Sequence, residues 1–204
     1  MADDFSRPLP LQLQGSGLAR WVFEALGWRI QFDGLPAKQG VMVVYPHTSN
    51  WDFVYLVMAK WTVGMQLRFW AKDTLFYWPL LGSWLRWLGG VPVDRRSPRG
   101  IVGQMAHTLQ QSREQDRYFW LAVTPEGTRK WTPGWRSGFY QVAWGAKVPV
   151  GICSVNYREK RVYVSNFFEL TGDSQADMLR ISHALADCAG RYPEKAAPIK
   201  ILEK

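Results

Sequence analysis

Short, nearly unbroken apolar runs alternate along this chain with stretches whose apolar residues recur at helical spacing, and that alternation constrains the fold most. Val41-Met-Val-Val-Tyr45 reads as a buried strand, Tyr118–Val123 as another continuous one and Val148–Ser154 as a strand. Leu67–Lys72, Gly90–Asp94 and Arg161–Ser165 read as shorter strands. Residues 51–61, residues 100–114 with Ile101, Met105 and Leu109 in step, Gly138–Lys147 and Gln175–Gly190 read as helices. Parallel strands need a long crossover, usually a helix, so this order predicts an α/β fold: one largely parallel, mixed sheet flanked by helices. Ahead of it, Leu18, Trp21, Val22, Ala25 and Leu26 predict an N-terminal amphipathic helix over 18–30. No repeat, low-complexity tract or linker divides the 204 residues. They are read as one domain: an arm and interfacial helix over 1–39, a core over 40–155, and a C-terminal strand and helix over 156–204.

Composition narrows the function. With 47% hydrophobic and 21% charged residues the chain is neither disordered nor collagenous. The formal charge of +8 favours anionic partners such as phosphate esters, nucleic acid or an acidic membrane. Cys153 and Cys188 form neither a disulfide framework nor a metal-binding spacing, which suits a reducing compartment. Met1-Ala-Asp-Asp is acidic where a secretory signal is basic, and no apolar stretch reaches the roughly 18 residues of a membrane span. Twelve Trp, ten Phe and eight Tyr are unusual for this length. Trp and Tyr favour places with one apolar and one wet side, so beside the positive charge they point to a water–lipid boundary; the alternative is that they fill a core.

Three polar motifs follow strands, where α/β sheets carry their chemistry. The first is Pro46-His47-Thr48-Ser49-Asn50-Trp51-Asp52. A carboxylate in the first turn of a helix can hold one ring nitrogen of the preceding histidine and leave the other as a proton acceptor. Ser49-x-x-Asp52 is also a capping-box pattern, which explains the aspartate without catalysis. The second is Thr124-Pro-Glu126-Gly127-Thr128-Arg129-Lys130. Its glycine permits close backbone approach, Arg129 presents a fork suited to phosphate, and Glu126 accepts from substrate hydroxyls or orients the arginine. A Pro-x-Gly turn with solvated charges is the plainer account. A given tetrapeptide is expected by chance on the order of 0.001 times in such a chain, against roughly 0.15 times for a histidine followed five places on by an aspartate. The third is Gly89-Gly-Val-Pro-Val-Asp-Arg95-Arg96. Between Arg86 and Arg136 stand nine Lys or Arg against four Asp or Glu, which reads as an anion pocket or as a solvated basic face.

His47-x4-Asp52, the Gly-x-x-Val-x-Arg pattern ending at Arg95, Glu126-Gly-Thr-Arg129 and Val148-Pro-Val150 stand in the order of the four blocks of the glycerolipid acyltransferases. The chain therefore resembles the 1-acylglycerol-3-phosphate O-acyltransferase family over roughly residues 40–155. Ala71-Lys72-Asp73 with Pro79 and Gly82 is similar to the stretch between the first two blocks. The resemblance implies an enzyme of phospholipid biosynthesis with His47 as general base and Asp52 as its orienting partner. It also implies an acceptor site from Lys72, Arg95, Glu126, Gly127, Thr128 and Arg129. The expected reaction moves a fatty acyl group from acyl-CoA or acyl-carrier protein to a hydroxyl of a lysophospholipid such as 1-acyl-glycerol-3-phosphate, with no bound cofactor and no metal. Asp73-Thr74 and Gly151 depart from the family's usual residues and bear on the acyl pocket and acceptor.

A lipid acceptor implies a peripheral or monotopic enzyme on the cytoplasmic face of the cell membrane, drawn to anionic lipid. Phe76–Leu88 is apolar nearly all round but broken by Pro79 and Arg86, so it reads either as an interfacial helix or as a buried one. A serine hydrolase would want Gly-x-Ser-x-Gly, and Gly134-Trp-Arg-Ser-Gly138 has the wrong spacing. A nucleic-acid binder lacks any RNA-binding aromatic or zinc-finger pattern, so no nucleic-acid partner is expected. The remaining alternatives are transfer to a different hydroxyl acceptor and a protein without turnover that binds membrane lipid or nucleic acid.

Overall fold

The computed structural model describes residue 5, residues 9–93 and residues 98–202. Its strands are β1 (Arg29–Phe32), β2 (Gln39–Tyr45), β3 (Leu67–Lys72), β4 (Gly90–Val93), β5 (Phe119–Val123), β6 (Val150–Asn156) and β7 (Arg161–Phe168). Its helices are α1 (Gly17–Ala25), α2 (Asn50–Val63), α3 (Pro79–Leu88), α4 (Pro98–Glu114), α5 (Gly138–Ala146) and α6 (Ser174–Ala184). The strands form one seven-stranded sheet of order β1-β7-β6-β2-β5-β3-β4. From β6 to β4 every neighbouring pair is parallel. β7 turns back antiparallel to β6, and β1 runs parallel to β7. This is the mixed, largely parallel sheet flanked by helices that the alternating pattern predicts.

The continuous apolar runs are explained by layers on both faces. Side chains alternate along a strand, so Val41, Val43, Leu121, Val150 and Ile152 point to one face. There they pack under α4, α5 and α6, against Leu109, Phe139 and Ile181. Met42, Val44, Trp120, Cys153 and Val164 point to the other face, toward α1 and α2, with Phe23, Ala59 and Val63. Part of the tryptophan content is core: Trp120 and Trp135 are fully buried. The Trp120 ring lies so close over β2 that a Cβ on Gly40 would stand 2.3 Å from it, which accounts for the glycine in that strand.

Three sequence-based expectations need correction. The N-terminal helix stops at Ala25 rather than running to residue 30. Gly27 takes a left-handed φ of 77°, and Arg29–Phe32 becomes a strand paired to β7. The C-terminal helix stops at Ala184 rather than Gly190. The chain beyond it bends back, and Ala189 O accepts from Tyr157 N at 2.8 Å. Phe76–Leu88 is neither wholly interfacial nor wholly buried. It divides into a 3-10 turn (Asp73–Tyr77) and α3, which buries Gly82, Leu85 and Leu88 and exposes Leu80, Trp84 and Trp87. Among the described residues no helix is long and apolar enough to cross a membrane.

Candidate active site

Because β6, β2, β5 and β3 are parallel neighbours, their carboxyl ends meet at one edge of the sheet. Tyr157 follows β6, His47 follows β2, the segment Thr124–Arg129 follows β5, and Lys72 ends β3. Motifs far apart in sequence are thereby brought together, as expected at the strand ends of an α/β sheet.

His47 and Asp52 sit on either side of the start of α2. Ser49 is the N-cap, its hydroxyl accepting from Trp51 N at 3.2 Å, while Asp52 Oδ2 accepts from Ser49 N and Thr48 N, each at 2.8 Å. The capping box is therefore real, and it does not compete with the histidine. The same Oδ2 lies 3.3 Å from His47 Nδ1. The approach is close, but its direction falls short of a formed hydrogen bond, and among the described residues no other group bonds Nδ1; such contacts commonly tighten when substrate binds. Asp52 is wholly buried, and burial pushes its carboxyl up; contact with His47, the Tyr157 hydroxyl and Ser49 N outweigh burial and hold it below the usual range. A carboxylate so held favours Nδ1–H toward itself and leaves Nε2 as the proton acceptor.

Glu126 is also buried, but it serves the protein backbone. Oε2 accepts from His47 N at 2.6 Å and Oε1 from Ala197 N at 3.0 Å. Burial lifts its carboxyl above the usual range, opposed by those two amides. The glutamate thus ties the loop after β5 to the loop after β2 and to the C-terminal segment. That segment closes on the same place: Tyr192 N donates to Thr48 Oγ1 at 3.3 Å, and Tyr45 Oη donates to Ala197 O at 3.0 Å. Nothing in the motif spacing signals these contacts, because they are made to main-chain atoms or span more than a hundred residues.

From His47 a cavity of about 540 Å³ runs beneath α2 and α3. Its polar end holds His47, Lys72, Gly127, Thr128 and Arg129. Its long walls are apolar: Val44 and Ala122 of the sheet, Phe53 and Leu56 of α2, Trp84 and Leu85 of α3. Gly127 has a φ of 68°, in the region glycine favours, and a Cβ there would stand 2.9 Å from Arg136 Nε. Lys72 and Arg129 are exposed, so their charges remain available at the opening. Cys153 also lines the cavity, but burial pushes its thiol up to about 12, far from a thiolate nucleophile. Gly151 lies behind: a Cβ there would meet the Phe167 ring at 2.6 Å and Met42 at 3.1 Å.

Of the residues singled out in the sequence, His47, Lys72, Gly127, Thr128 and Arg129 share this cavity, while Asp52 and Glu126 brace it from behind. Arg95 lies outside the described residues. Among the described residues no group of three or more His, Cys, Asp or Glu side chains is placed to hold a metal.

A family model described as Acyltransferase matches residues 29–156, from the first residue of β1 to the last of β6. The chain belongs to the Acyltransferase family. All the sequence-predicted site residues of this acyltransferase fall inside the matched span. A 1-acyl-sn-glycerol-3-phosphate acyltransferase of Streptococcus pneumoniae (strain ATCC BAA-255 / R6) is 32% identical over 98 residues, 48% of this chain and 35% of the relative. The match thus spans about a third of the relative's length. The crystal structure of the 1-acyl-sn-glycerophosphate (LPA) acyltransferase PlsC from Thermotoga maritima superposes with a TM-score of 0.52 at 20% identity, covering 83% of this chain and 73% of that one. That likeness is one of fold.

Proposed function

We propose that this acyltransferase moves a fatty acyl group from a thioester, acyl-CoA or acyl-carrier protein, to a hydroxyl of a lysophospholipid such as 1-acyl-glycerol-3-phosphate. The observation that carries the reading is the histidine–aspartate pair at the polar end of an apolar cavity. His47 Nε2 takes the hydroxyl proton as the oxygen attacks the thioester carbonyl. The tetrahedral intermediate collapses with cleavage of the C–S bond, and the imidazolium returns the proton to the departing thiolate. An ester and a free thiol result. Asp52 keeps the ring in the reactive tautomer and offsets its transient positive charge. Lys72, Gly127, Thr128 and Arg129, together with Arg95, receive the acceptor's phosphate end, which turns encounter into near-attack geometry. The acyl chain takes the apolar run between the sheet and the two helices.

The cavity wall supports a membrane-bound setting. Leu75, Leu81 and Trp84 line the cavity and are also exposed, beside Trp78 and Trp87, which are 70% and 71% exposed. Arg86 is exposed on α3 and Arg68 on β3. Aromatic side chains at the lipid boundary with arginines among them suit an anionic bilayer, so a lipid substrate enters the cavity from the membrane side. Two free cysteines accord with the cytoplasmic face.

Purified protein, 1-acyl-glycerol-3-phosphate and either acyl-CoA or acyl-carrier protein are followed by mass spectrometry. Diacyl product with wild type and at least a roughly hundredfold loss in His47→Ala are expected. Unchanged turnover in His47→Ala overturns the mechanism.

A further inference from the structure

The family match ends at residue 156, and the next residue reaches into the site. We infer that Tyr157 is a positioning residue for acyl transfer: its hydroxyl donates to Asp52 Oδ1 at 2.7 Å and fixes the carboxylate so that Oδ2 stays turned toward His47 Nδ1. The inference rests on the proposed function, because it assigns Tyr157 to the histidine–aspartate pair described there.

Asp52 has two oxygens with different duties. Oδ2 takes the two loop amides and faces the imidazole. Among the described contacts, Tyr157 is what holds Oδ1. A buried carboxylate with one oxygen unbound would lose a charge-assisted hydrogen bond and be free to twist. Tyr157 is itself anchored on three sides. Its ring meets Trp28 edge-on at 5.1 Å and Tyr55 at 5.8 Å, and its backbone N–H donates to Ala189 O at 2.8 Å. It also leaves β6, the strand beside β2, so the donor and the histidine loop are carried by adjacent strands. Burial first, then the Asp52 carboxylate and Tyr55, lift its phenol above the ordinary range, with Arg191 acting the other way. The hydroxyl therefore stays a donor throughout neutral pH. Among the described residues, Glu126 from the loop after β5 acts on Asp52 and Arg191 from the C-terminal segment acts on Tyr157.

Tyr157→Phe removes one oxygen and keeps the ring packing. With saturating donor and acceptor its kcat is expected to fall on the order of tenfold, with both KM values held within about twofold. Tyr55→Phe, which removes the same atom from a neighbouring ring that does not bond Asp52, is expected to keep the wild-type kcat. In an Asp52→Asn background, Tyr157→Phe is expected to add less than about a twofold loss, because the carboxylate it positions is already gone. A purely structural tyrosine would cost the same in both backgrounds. Wild-type kcat in Tyr157→Phe, an equal loss with Asn at 52, or a loss confined to KM overturns the inference. His47→Ala in the same series separates the outcomes: unchanged turnover there overturns the proposed function instead.

Discussion

The two faces of the sheet are made by the same strands and differ in what covers them. On one face, Val41, Val43, Leu121 and Ile152 meet α4, α5 and α6 in a filled core. On the other, Met42, Val44, Ala122 and Cys153 look into a cavity of about 540 Å³. The difference lies in the covering helices. α5 brings Ala143 and Ala146 down onto the strands, small residues that let the helix sit close. α2 and α3 bring Phe53, Leu56, Trp84 and Leu85, which hold the roof off the sheet while leaving apolar walls. The first face is core alone, whereas the second combines its own buried core, around Phe23 and Trp120, with the cavity in which the proposed function places the acyl chain.

That contrast can be broken by substituting neighbours that point opposite ways. The largest effect on folding is expected from Leu121→Ala on the filled face. Leu121 is fully buried, so the change should cost about 3–5 kcal/mol in chemical denaturation while leaving the order of preference among acyl chain lengths unchanged. Val44→Phe on the open face should do the reverse. It should lower turnover with long-chain donors about tenfold, spare short-chain donors, and cost less stability than Leu121→Ala, about 1–3 kcal/mol. Equal stability losses on the two faces, or a chain-length shift in Leu121→Ala, would erase the distinction.

A smaller effect sharpens the account of the open face. Trp78→Ala combined with Trp87→Ala should weaken sedimentation with anionic vesicles severalfold and leave turnover of a water-soluble short-chain donor unchanged. Unaltered sedimentation would remove α3 from the lipid contact. The smallest effect concerns pH. Asp52 titrates below its ordinary value, so its contribution to stability is complete above about pH 4 and disappears as pH falls through its folded value. Glu126, raised by burial, works in the opposite sense, its proton uptake favouring the fold as pH falls. The gap in melting temperature between wild type and Asp52→Asn should therefore narrow between pH 6 and pH 2.5. A constant gap would contradict the assignment.

The filled face was the more legible in sequence, and the reason is local. β2, β5 and β6 are short runs buried on both sides, so their apolar residues are contiguous and their ends are marked by polar loops. His47, Asp52 and the Glu126–Arg129 motif could be read because each lies within a few residues of a strand end. β1 was missed at the end of an apparent helix that took in its first two residues: Arg-Ile-Gln-Phe gains strand geometry only from pairing with β7. Glu126 was recognisable as a site residue, but its bonds to the His47 and Ala197 amides carry no residue-type signal. Tyr157 was invisible for another reason, since its partner is 105 positions away and only the adjacency of β6 and β2 joins them.

The proposed mechanism requires the acyl chain to lie in the open cavity with its carbonyl beside His47. The most direct measurement is a crystal structure with a non-reactive donor analogue, a long alkyl group joined to coenzyme A through a thioether. The alkyl tail is expected between Val44, Phe53 and Leu85, with the atoms flanking the sulfur within about 4 Å of His47 Nε2. A tail lying elsewhere with the cavity empty, or a sulfur beyond reach of His47, would contradict it.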